Sequence, residues 1–135
     1  LLFAEPAVAT SCDERAIAAS SVEAAAESIW ANSDVIGFAR VESANTAGRE
    51  QQFVDLLVAL KGEAARYPYV PLRIGRTKWM GPGLTRLPAR DGEILFVTLV
   101  RTERGYLVPA CQDLVVGKDP TAIIRRLAAI ARERR

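Results

Sequence analysis

Apolar residues recur at helical spacing near both ends of the chain and in alternating or continuous runs between them. Val22, Ala25, Ala26, Ile29 and Trp30 make a stripe on one face of a helix, within the alanine-rich run VEAAAESIWAN. Ser21 stands where an N-cap belongs, Glu23 lies near the positive helix end, and Asn32-Ser33-Asp34 supplies the stop. VIGFARVES follows, rich in β-branched and aromatic residues, and reads as a first strand with Gly37 as its bend. The polar stretch Ala44–Arg49 makes a turn into a second strand, Gln51–Leu60, which is apolar almost throughout and stops at Lys61-Gly62. A third strand is predicted over Tyr69–Ile74, after Pro68, and Gly75–Arg90 reads as a long loop. Glu93–Arg101 and Tyr106–Val116 read as a hairpin turning at Glu103-Arg104-Gly105. Asp119-Pro120 then opens a closing helix as N-cap and N1, with a stripe of Ile123, Ile124, Leu127, Ile130 and Ala131. Its other side carries Arg125, Arg126, Arg132, Arg134 and Arg135.

Helix, five strands and helix, with the strands running consecutively, argue against a doubly wound parallel sheet. Five strands with a glycine bend in the first suit a small closed barrel of the OB type, although element order alone supports α+β or all-β with flanking helices and does not choose the barrel. The expected fold is mainly β: a five-stranded OB-like closed barrel with an N-terminal and a C-terminal helix packed on it.

Composition narrows the chemistry. The 135 residues suffice for one hydrophobic core; half are apolar and a quarter charged, as in an ordinary globular domain. The net charge of +2 is unevenly spread, at −5 over residues 1–67 and +7 over residues 68–135. Such asymmetry permits an anionic partner without requiring one. No histidine occurs, which excludes Ser-His-Asp and Cys-His catalysis and any histidine-bearing zinc site. No apolar run approaches the roughly 20 residues needed to cross a bilayer. Acidic residues are scattered without a motif, so no enzyme, cofactor or metal is expected.

The opening segment LLFAEPAVATSC resembles the end of an export signal: Leu1-Leu2-Phe3 closes an apolar region, Pro6 breaks it, and Ala7-Val8-Ala9 has the small-x-small pattern of a cleavage site. On this reading residues 1–9 are the remnant of a signal peptide, the mature domain is residues 10–135, and the protein is secreted or periplasmic. The alternative is an N-terminal tail that belongs to the fold. Two cysteines, Cys12 and Cys111, with no third, read in an oxidising compartment as one disulfide, against the alternative of two buried thiols. Such a staple would stabilise the fold by about 4–5 kcal/mol in the chain-entropy picture.

Three segments carry a family resemblance. VEAAAESIWANSDVIGFARVES resembles the helix-to-first-strand opening of netrin-like domains, the group that includes the tissue inhibitors of metalloproteinases. FVDLLVALKGE resembles their second strand, and GEILFVTLVRTERGYLVPACQDLVV is similar to their closing hairpin. The resemblance implies the five-stranded barrel, with Cys111 on the last strand bonded to Cys12. It also implies a functional N-terminal edge. The inhibitors of that group begin Cys-x-Cys and chelate the protease zinc through the first residue; here Thr10 and Ser11 precede Cys12, so the second disulfide that would rigidify this edge is absent.

The candidate binding residues are therefore Thr10 and Ser11 at that edge, and Arg76, Lys78, Trp79, Met80 and Arg86 in the loop GRTKWMGPGLTRLPAR, where cations flank an aromatic. The expected function is an exported, non-enzymatic binding module of netrin-like type. Its partner is expected to be another protein or an acidic surface or glycan. A metalloprotease held by the N-terminal edge is the second reading, and single-stranded nucleic acid or another polyanion the third.

Overall fold

In a computed structural model of the chain, the described residues are 21–69, 89–103, 105–107 and 119–134. Thr10, Ser11, Cys12, Arg76, Lys78, Trp79, Met80, Arg86 and Cys111 lie outside them, as do residues 70–74 of the expected third strand and 108–116 of the expected hairpin.

Helix α1 (Val22–Asn32) begins at Ser21, whose hydroxyl accepts from the Ala24 N–H at 3.0 Å. Strands β1 (Val35–Thr46) and β2 (Arg49–Lys61) form a long antiparallel hairpin. β3 (Arg66–Pro68) pairs with β2, and β4 (Ile94–Arg101) pairs with the first half of β1. The result is mainly β: a curled, half-barrel antiparallel sheet in the order β3-β2-β1-β4, with two helices. A two-residue segment, β5 (Tyr106–Leu107), lengthens the β4 edge, and Tyr69 makes a parallel bridge to Tyr106. Helix α2 (Pro120–Glu133) starts at Asp119, whose carboxylate accepts from the Ala122 N–H at 3.3 Å.

One expectation is corrected. The turn expected over Ala44–Arg49 is only Ala47-Gly48; both residues have positive φ (52° and 78°), the geometry of a two-residue hairpin turn that matches strand twist. Polarity there marks an exposed two-stranded arm, not a loop. Of the expected third strand only Tyr69 is among the described residues; ahead of it Arg66–Pro68 forms β3, with Pro68 pairing with Phe53, because proline is tolerated on a short edge strand.

Gly37 is where the hairpin coils. The β1–β2 register shifts between Ile36 and Gly37 and again between Phe38 and Ala39, so β2 carries the extra residues Leu60 and Leu57 as bulges. A methyl group on Gly37 would land on the Val58 carbonyl oxygen.

The curled sheet buries apolar side chains on both faces. On the concave face Val35, Ala39, Val41, Val54, Leu56, Tyr69, Val97, Leu99 and Val100 form one core. On the other face Ile36 meets Ala25, Ala26 and Ile29 of α1 and Ile123, Leu127 and Ile130 of α2, with Leu60 and Phe96 packed alongside. Full burial of each Ile or Leu contributes about 1.5–3 kcal/mol, which is what holds the helices down.

Candidate functional site

The strand period of two places Phe38, Arg40 and Glu42 on the helix-bearing face of β1, and the pairing register extends this into rows across the sheet. One row is Val58–Phe38–Phe96, the next Asp55–Arg40–Ile94 with Arg66 beyond Asp55, and the third Phe53–Glu42 with Pro68 beyond Phe53. The helices cover only the end of this face that carries Ile36, Leu60 and Phe96. Past them, Val58 and Ile94 are 54% and 53% exposed, the most accessible large apolar side chains among the described residues.

Phe38 and Phe96 meet edge to face at 5.4 Å between ring centroids and 68° between planes. Arg66 stacks 5.0 Å from the Phe53 ring centroid and grips Asp55 through two bonds, Nε to Oδ1 at 2.8 Å and NH2 to Oδ2 at 3.1 Å. That hydrogen-bonded guanidinium holds the Asp55 carboxyl below its ordinary value, with Arg40 adding to the effect. The pairing in turn raises the Arg66 pKa. The rows thus combine an exposed apolar patch, two half-buried phenylalanine rings and a compact Arg–Asp–Arg group. Arg40 and Arg66 against Glu42 and Asp55 leave the face without net charge.

The junction between α1 and the sheet is also polar. Lys61, at the end of β2, donates from Nζ to the carbonyls of Trp30 and Ser33, each at 2.7 Å, and lies 5.2 Å from the Trp30 ring centroid. Burial lowers its pKa, opposed by Asp34 and assisted by Arg134. Asp34 itself accepts from the Arg101 N–H at 2.7 Å. This is a joint: a cation on the carbonyl end of a helix, where the helix field favours it. Trp30 serves packing and this joint. The arginines of α2 are likewise structural in part, since Arg134 bonds both carboxylate oxygens of Glu27 at 2.9 Å and Arg126 sits among Glu23, Glu27 and Glu133.

Among the described residues there is no cluster of three or more His, Cys, Asp or Glu side chains able to hold a metal, and no helix long and apolar enough to cross a membrane. The sheet face was not picked out by sequence reasoning. Its available signal was the alternation Phe38-Ala39-Arg40-Val41-Glu42, which puts an aromatic and two charges on one side of a strand. No protein-family model, no curated protein and no solved structure matches the chain. The netrin-like resemblance therefore rests on the three sequence segments alone.

Proposed function

We propose that this chain is an exported, non-enzymatic protein-binding module, a five-stranded barrel of OB type whose outer face takes the partner at the end that the helices leave uncovered. The observation that carries the binding role is the exposure of Val58 and Ile94 beside the Phe38–Phe96 pair, framed by Arg40, Asp55 and Arg66. An apolar centre with aromatic and arginine neighbours has the composition of a protein interface. The balanced charge favours a protein over a polyanion.

The barrel reading is supported by two contacts between the far edges of the sheet. Tyr69 bridges Tyr106 in parallel, and the Tyr67 and Tyr106 rings meet at 4.7 Å.

A photo-crosslinking residue at Val58, in the cells that make the protein, tests the proposal. The expected result is an adduct with a defined protein that is absent when the crosslinker sits at exposed Arg125 on α2, and that is lost on Ile94→Asp in a variant of unchanged thermal stability. Adducts that are absent, or the same from both positions, would overturn it.

A further inference from the structure

The β1–β2 hairpin outruns its neighbours. β1 pairs with β2 as far as Thr46 and Arg49, whereas β4 reaches only from Val35 to Arg40. Thr46 and Arg49 close the two-residue turn, so they exchange ladder hydrogen bonds; counting back by two, Ala44 and Glu42 also aim their backbone groups at β2. Val41, Ser43 and Asn45 therefore aim theirs the other way. For Val41 the contacts confirm this: its N–H donates to Glu93 at 2.9 Å and its carbonyl accepts from Gly92 at 2.7 Å. Beyond that point, among the described residues, no chain pairs with Ser43 or Asn45. The Ser43 hydroxyl itself turns to the core side of the strand with Ala39 and Val41, where it is buried and has no hydrogen-bond partner among the described residues.

An open β-edge is normally guarded by lysine, proline or a bulge. Ser43-Ala44-Asn45 has none of these. We propose that this edge is an interface with a second copy of the chain, the two β1 strands running antiparallel about a two-fold axis at Ala44. The occupant follows from the pattern. Two open residues spaced by two match themselves under a two-fold: Ser43 of each copy meets Asn45 of the other, and the four N–H and four C=O groups of the two strands find complements. The side chains at the axis are alanines, and Glu42 falls opposite Thr46 of the other copy, away from any like charge. A sheet running β2-β1-β1-β2 results. It buries little apolar area, so the association is weak and concentration-dependent.

This interface uses an edge separate from the proposed partner face, and it stands or falls independently of that reading. The test is sedimentation velocity together with amide NMR of the full chain over a roughly hundredfold concentration range. Self-association, with the Ser43 and Asn45 amide signals moving with concentration, is expected. Asn45→Pro removes an N–H that the internal ladder does not use, and should abolish both effects while leaving the melting temperature in place. Should that variant fold poorly, Ala44→Lys leaves the ladder intact, sets two cations at the axis and should weaken association at least about tenfold. A monomer at every concentration, or self-association unaffected by a folded Asn45→Pro or by Ala44→Lys, would overturn the interface.

Discussion

At Gly37 the requirement is steric. The residue sits where two bulges wrap β2 over β1, and the Val58 carbonyl occupies the place of a side chain. Gly37→Ala is expected to destabilise the protein by about 1–3 kcal/mol, an overpacking cost with no flexible neighbour to absorb it. Equilibrium denaturation measures it, and a loss within experimental error would mean that the bulges relax freely. The sequence shows Gly37 as a bend, because a glycine inside a β-branched run has few other uses. It does not show that the extra residues lie in the opposite strand. FVDLLVALK is continuous in its apolar character, and only the register decides that Leu56 turns inward while Val58 turns to solvent. The same ambiguity hid the candidate face.

Elements were legible where their ends carry chemistry. Ser21 and Asp119-Pro120 mark helix starts by the hydrogen bonds they can supply, and both act as caps. The Arg66–Pro68 strand was missed because Pro68 reads as a breaker before a strand, whereas an edge position lets proline take part in one. No local pattern announces that Lys61, 28 residues from Ser33, finishes α1. Lys61→Met keeps the stem and removes two charge-assisted bonds, leaving the Trp30 and Ser33 carbonyls without their donor. A loss of about 1.5–3 kcal/mol is expected, together with faster amide exchange in the last turn of α1. An unchanged exchange pattern would mean that water replaces the ammonium at no cost.

For the molecule as a whole, the meeting of the two sheet edges has a titratable reporter. Tyr69 is buried, and burial pushes its phenol up to about 12 from an ordinary value of 10.0. A group whose native pKa is raised adds stability that is complete below its unfolded value and is lost as pH rises through its native one. Stability should therefore fall between about pH 10 and 12, and Tyr69→Phe should flatten that fall relative to the parent, read by alkaline denaturation. A parent and variant that lose stability in parallel would place the seam's weakness elsewhere. The mainly β character and the two packed helices were readable from hydrophobic period alone, since each helix stripe needs a face to cover. How far the sheet curls was not, because curling depends on which residues bulge.

The ion pair between Glu27 and Arg134 joins positions 107 residues apart, and with it α1 and α2 share a single apolar seat on the sheet. During synthesis α1 and the β1–β2 hairpin leave the ribosome long before α2 exists. For that interval Ile29, Ile36 and Leu60 lack the cover that Ile123, Leu127 and Ile130 later provide. The nascent chain thus carries an uncovered apolar surface until α2 arrives, a long-range closure of the kind that slows folding.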